Sequence, residues 1–215
     1  MSAAVDHLVV AARTLDDGVQ WCEATLGITP GPGGRHALMG THNRLFSIAS
    51  NEFPNAYFEI IAIDPDAPPP GRARWFGLDA LDLSSGPRLV TFVARTAALD
   101  ITLAELRATD VDAGRALAAS RETPSGPLHW RIAVRDDGAL SCSGAMPTLI
   151  EWGERHPAAS MGASGVVLRS LALRGVPRPA IAVIGLDRAT FTDTTGPAIE
   201  ARLGTQRGPV TLTSL

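Results

Sequence analysis

Residues 7–14 read HLVVAART and residues 88–96 read RLVTFVART. Both are short β-rich runs that end in Ala-Arg-Thr, and the segments after them are also alike. After the first, LDDGVQWCEATLG places Leu15, Val19, Cys22 and Leu26 at helical spacing, with Gly27 as a stop signal. After the second, ALDITLAELRATDV places Leu99, Leu103 and Leu106 on one side of a helix. Three strand candidates come next in each half. GGRHALM (33–39) is echoed by AGRALAA (113–119), RLFSIAS (44–50) by LHWRIAV (128–134), and YFEIIAI (57–63) by TLIEWGE (148–154). A duplicated βαβββ module is the economical reading.

The expected fold is therefore α+β: paired βαβββ modules forming a cupped mixed sheet, with an additional β-rich C-terminal partial module. Residues 1–66 make the first module, 67–86 a linker, 87–160 the second module, and 161–215 a partial third module extending the sheet. The linker is marked by DPDAPPPGRAR, which combines four prolines with two aspartates and a glycine. In the tail GVVLRSLALRGV is strand-like, AIAVIGL suits a short helix or a strand, and AIEARL with GPVTLTSL reads as a hairpin across GTQRG.

With 215 residues the chain is one large domain or two small ones. Its net charge of -3 offers no basic excess to neutralise phosphates, which argues against nucleic acid. All 19 cationic side chains are arginine, so neither a Schiff-base lysine nor a phosphate-loop lysine is available. Cys22 and Cys142 form no C-x-x-C pair, and Cys22 reads as a buried structural thiol. No apolar run is long enough to span a membrane and no leader pattern opens the chain, so a soluble cytoplasmic protein without a membrane partner is expected.

Strand side chains alternate between two faces. On that parity one face carries Leu8, Val10, Phe46, Ile48, Phe58, Ile60, Trp130, Ile132, Ile150 and Trp152, and is expected beneath the helices. The other face collects His7, Asn43, Ser47, Tyr57, Glu59, His129, Arg131 and Glu151. A solvated outer face would give the same alternation. GGRHALMGTHNRL (33–45) is not a phosphate loop, because no helix N-terminus comes after it to present amides.

DHLVV, GGRHALMGTHNRL, YFEII, RETPSGPLHWRIAV and LIEWGERHP together make the chain, from about Val5 to Pro157, resemble glyoxalase-like members of the vicinal oxygen chelate superfamily. The resemblance implies sheets curled into a cup that holds a divalent metal ion in the metal-dependent members. Carried over by position, three of its four metal ligands fall on His7, Glu59 and Glu151. The fourth falls on Leu89, with Thr91 two residues on, and neither supplies an imidazole. His129 is a candidate substitute; alternatively Arg131 pairs with a glutamate and leaves a metal-free cup.

The function the resemblance implies is a small-molecule enzyme, a metal-assisted lyase or isomerase acting on vicinal oxygens. Glu59 and Glu151 are its candidate catalytic residues, and His36, Asn43, Tyr57, His129 and Arg131 its candidate ligand-binding residues. An extradiol-type oxygenase would need a second histidine, so His129 would decide it. The alternative is a non-catalytic binding or sequestering protein with a degenerate metal site, which requires an aromatic-lined groove. Only 5% of the chain is aromatic, and Trp130 and Trp152 are expected under the helices. Ser125 and Ser141 lack a nucleophile elbow, and His156 is expected at the rim. The cup is either closed within one chain or completed by a second copy in a homodimer.

Overall fold

The two echoed runs become β1 (Ala4–Ala11) and β5 (Arg88–Arg95), antiparallel neighbours at the centre of an eight-stranded sheet. This computed structural model describes residues 2–123 and 126–214; Ser125 lies outside them. Module one continues with α1 (Leu15–Leu26), β2 (Gly31–His36), β3 (Thr41–Ser47) and β4 (Tyr57–Ile63). Module two continues with α2 (Leu99–Arg107), β6 (Arg115–Arg121), β7 (Leu128–Val134) and β8 (Thr148–Trp152). The strand order β2-β3-β4-β1-β5-β8-β7-β6 reads the same from either edge once equivalent strands are matched. β1 pairs in parallel with β4, and β5 with β8, as equivalent places in two copies require.

Local chemistry sets α1. The Thr14 hydroxyl accepts the Asp17 amide proton at 3.1 Å, and Asp16 and Asp17 favour the positive end of the helix. Gly27 closes it in the left-handed region at φ 77°. Cys22 and Leu26 point inward, and burial pushes the Cys22 thiol up to about 12, as suits an inert structural cysteine.

The sheet has two packed faces. On the helix side Leu8, Val10, Phe46, Ile48, Phe58 and Ile60 join Phe92, Leu103 and Leu106 in one core, as the parity of module one requires. Trp130, Ile132 and Ile150 lie in a separate cluster on the concave side, with Trp152 packed against it. The parity expected for module two is thus inverted. Its cause is a polar ladder facing α2: Arg131 and Glu151 are cross-strand partners, and Arg131 also clamps Asp100 of α2 at 2.6 and 2.9 Å.

The tail does not extend the sheet. β9 (Val167–Arg174), β10 (Thr190–Thr192), β11 (Ile199–Thr205) and β12 (Gly208–Thr213) form a second sheet in the order β10-β9-β11-β12. AIAVIGL contributes to a helix, α3 (Arg178–Ile184), and the expected hairpin is β11–β12. Leu168, Leu171, Leu173, Ile199, Ala201 and Leu203 are buried in the helix-side core, so a continuous apolar row favours stacking over edge addition. Main-chain bonds from Leu168 to Ile48 (2.8 Å) and from Ala3 to Ile184 (3.0 Å) latch it.

The proline-rich linker also folds back. Residues Trp75–Ala80 form a 3-10 segment that buries Trp75, Phe76 and Leu78 on the concave side, and the Gly77 amide donates to the Gly138 carbonyl at 2.8 Å. Phe92 is fully buried at the centre of the helix-side core. Phe92→Ala should therefore lower the unfolding free energy, measured in urea, by roughly 3–5 kcal/mol.

Candidate functional site

The concave face holds a small hollow, lined from module one by His7, His36, Asn43, Leu45, Tyr57 and Glu59. Arg121, Trp130, Ile132, Ile150 and Trp152 of module two line the rest, with Trp75 and Phe76 of the linker. Both modules of one chain close this cup.

Alternation along β1, β3 and β4 delivers the polar set. The His7 Nε2 and the Glu59 carboxylate form an ion pair at 3.4 Å, with both side chains buried. The Asn43 amide donates from Nδ2 to Glu59 Oε1 at 2.5 Å, and its Oδ1 accepts the Gly34 amide (2.8 Å) and the Arg121 guanidinium (3.2 Å). A Cβ on Gly33 would lie 2.1 Å from the Asn43 carbonyl oxygen, and one on Gly34 would lie 2.7 Å from the Arg121 guanidinium. The Gly33-Gly34 pair therefore gives Asn43 and Arg121 their room. His36 bonds Thr41 through Nδ1 (3.1 Å) and lies 3.3 Å from Asn43 Nδ2 through Nε2. Burial lowers its pKa to about 4, so it is neutral and its Nε2 accepts.

Asp6 is the residue that sequence reasoning missed. Parity sends it away from His7, yet its carboxylate is fully buried and bonds His7 Nδ1 at 2.7 Å, His156 Nε2 at 2.8 Å and Trp152 Nε1 at 3.1 Å. A register irregularity between Val5 and His7 in the β1–β5 pairing accompanies this placement. The available signal was the acid-imidazole pair in DHLVV combined with the histidine of ERHP. His156 is thus tied to the site: its Nδ1 accepts the Ala158 amide (3.2 Å), which leaves Nε2 to donate to Asp6.

Burial opposes charge on all three central groups, and pairing overrides it. The bonds from His156 and His7 hold Asp6 well below the usual carboxylate range. Asp6 and Glu59 raise His7 to about 9, and His7 with Asn43 lowers Glu59. At neutral pH the chain is Asp6⁻, His7⁺, Glu59⁻. Tyr57 stacks on the His7 ring at 4.4 Å, and burial lifts its hydroxyl well above its ordinary value, so it stays a neutral wall.

Of the candidates, the structure brings together His7, His36, Asn43, Tyr57 and Glu59. It does not bring Glu151, Arg131 or His129 to them. Glu151 faces α2, where its Oε1 accepts the Leu99 amide at 3.4 Å and its Oε2 pairs with Arg131 at 3.1 Å. It serves the start of a helix that has no side-chain cap of its own. His129 is exposed, so it does not supply the missing imidazole. His42 pairs loosely with Asp64 at 3.9 Å on the other face of β3, and Ser47 lines a neighbouring groove. Leu89 lies in the helix-side core, and the Thr91 hydroxyl donates to the Gly144 carbonyl at 2.9 Å.

The superfamily's ligand set does not fit these donors. Module two presents Val90, Val93, Ile150 and Trp152 to the concave side, and His7 and Glu59 are engaged with each other. Among the described residues, no group of three or more His, Cys, Asp or Glu side chains is placed to hold a metal ion.

A cupped sheet of two βαβββ modules, with a buried histidine-carboxylate pair on its floor, defines a glyoxalase-like protein. The glyoxalase-like domain family matches residues 5–187, so the chain belongs to that family, within the vicinal oxygen chelate superfamily. The match runs past Pro157 through β9 and α3, so the start of the second sheet is part of the domain. Among solved structures, a hypothetical protein from Staphylococcus aureus is similar at 14% identity and TM-score 0.59, over 98% of this chain and 86% of that one. Methylmalonyl-CoA epimerase from Mycobacterium tuberculosis matches at 17% identity and TM-score 0.41, over 69% and 85%. Methylmalonyl-CoA epimerase in complex with methylmalonyl-CoA and NH4+ matches at 17% identity and TM-score 0.45, over 71% and 94%. No curated protein matches the chain. Among the described residues, no helix is long and apolar enough to cross a membrane.

The raised His7 pKa makes a thermodynamic prediction. Its pairing stabilises the fold fully below the unfolded-state value near 6.5 and loses that stabilisation as pH rises through about 9. Thermal unfolding midpoints should fall across that window. Asp6→Asn should shift the fall to lower pH, because the amide no longer holds the imidazolium.

Proposed function

We propose that the protein is a small-molecule enzyme of the isomerase or lyase type, which moves a proton next to a carbonyl without a resident metal. The observation that carries this reading is the buried His7–Glu59 ion pair on the floor of a cup walled by Trp75, Trp130 and Trp152. Glu59 is ionised at neutral pH and can accept a proton from a substrate C–H. His7 carries its charge where an enolate or enediolate oxygen would develop, and an N–H donor there stabilises that oxygen. Return of the proton from Glu59 to the neighbouring carbon, while His7 gives its Nε2 proton to the enolate oxygen and takes one back from the adjacent hydroxyl, completes an isomerisation in which every atom is conserved. Asp6, His36 and Asn43 act through these two groups as positioning residues.

Metal assistance, the other form of this chemistry, lacks support in the donor set, since Glu151 and Leu89 face away from the cup. Adding zinc, manganese or a chelator should leave the thermal midpoint unchanged. A metal-dependent rise would restore the metal-assisted reading.

The decisive experiment is solvent deuterium incorporation into the carbonyl-adjacent C–H of small hydroxy- and oxo-carbonyl compounds, monitored by proton NMR. Wild type should exchange at least one compound, and Glu59→Gln should slow it roughly 100-fold or more. The amide keeps the shape and removes the base. One observation favours the sequestering alternative: three of the four tryptophans line the cup, where the sequence placed Trp130 and Trp152 under the helices. Binding without any exchange in the wild type would select it.

A further inference from the structure

Arg121 takes no part in the proton transfer assigned to Glu59 and His7. It is the last residue of β6 and lines both the cup and a larger neighbouring groove, open to solvent, that runs past Pro32, Leu128 and His156. Leu45 is also shared by the two hollows, so they meet at a neck. At that neck, among the described residues, the Arg121 guanidinium makes one hydrogen bond, to Asn43 Oδ1, and pairs with no carboxylate. A guanidinium has five N–H donors in a planar fork matched to a carboxylate. Most of that capacity is left over.

We propose that Arg121 is the receptor for a substrate carboxylate, which makes the accepted compounds small oxo- or hydroxy-carboxylic acids. This rests on the Glu59 reading and names its substrate class. Asn43 joins the two groups: its Oδ1 takes Arg121 while its Nδ2 holds Glu59. An acid group held at the neck therefore lies one amide away from the base. Charge also limits the guest. Asp6 and Glu59 are negative and His7 positive, and Arg121 adds a positive charge at the neck. At the neck, a single guanidinium suits a monoanionic carboxylate. Gly34 is part of the same construction, since a side chain there would occupy the place of the guanidinium. The groove beyond the neck takes whatever the acid carries on its far side.

The test is equilibrium binding, which does not depend on turnover. Pyruvate, 2-oxobutanoate, 2-oxohexanoate and their methyl esters are titrated against the whole protein, with quenching of the cup tryptophans and calorimetry as readouts. Wild type should bind at least one acid about tenfold or more tightly than its ester. Arg121→Gln should lose that preference, and Arg121→Lys should keep part of it. If Arg121 merely props Asn43, both substitutions weaken acid and ester alike and the preference survives, which overturns the proposal. Equal binding of acid and ester by wild type, or binding of no acid at all, overturns it as well, even if Arg121→Gln fails to fold. The two readings separate cleanly. Exchange of neutral carbonyl compounds without acid binding sinks the Arg121 assignment alone, whereas acid binding without exchange sinks the Glu59 chemistry alone.

Discussion

The buried imidazolium of His7, held between two carboxylates, is the constraint that the remainder of the cup satisfies. Taking three charges out of water costs several kcal/mol for each, of the order that only good geometry and full hydrogen bonding offset. The structure meets that demand group by group. Asp6 receives His7, His156 and Trp152; Glu59 receives His7 and Asn43; Asn43 is fixed in turn by Gly34 and Arg121. The residues concerned come from β1, β2, β3, β4, β6 and β8 and from the loop after β8. One charge network thus ties both modules together. The aromatic wall of Trp75, Trp130 and Trp152 keeps the surroundings apolar, which strengthens every one of these interactions.

Duplication produced two copies of the module, and the copies diverged in which face they made polar. In module one the polar row points into the cup. In module two it points at α2, where Glu151 meets the first amide of the helix and Arg131 bridges Glu151 to Asp100. The concave side of module two is left to Val93, Ile132, Ile150 and Trp152. The site is consequently one-sided, with its chemistry in the first half of the chain and a greasy wall in the second. That asymmetry removes two of the four superfamily ligand positions. It also moves the chemical burden onto a histidine-carboxylate pair, which needs no ion to be charged.

The C-terminal sheet and the linker finish what the paired modules leave open. Stacked β9–β12 cover the helix-side core, so Leu8, Val10 and Phe92 sit in the middle of a layered structure. On the other side, the 3-10 turn at Trp75–Ala80 covers part of the cup. Segments that read as tail and connection are therefore both walls.

The sequence alone determined the modules, because internal repetition and helical spacing are local signals that survive in the order of residues. AART and VART placed β1 and β5, and the leucine spacing placed α1 and α2. In module one parity also placed His7, Asn43, Tyr57 and Glu59 in one cup, since side chains alternate from His7 onward on β1 and along β3 and β4. The tertiary structure decided the rest. Alternation says which side chains share a face but not which face is inside, and in module two the answer came from contacts with Asp100 and Leu99, remote in sequence from β7 and β8. Asp6 joined the site against its parity, with a register irregularity beside it on β1 and partners supplied by Trp152 and His156 from the far end of the second module. Arg121 became a neck residue only when β6 met β2 across the cup, an encounter of the two sheet edges that no local pattern encodes.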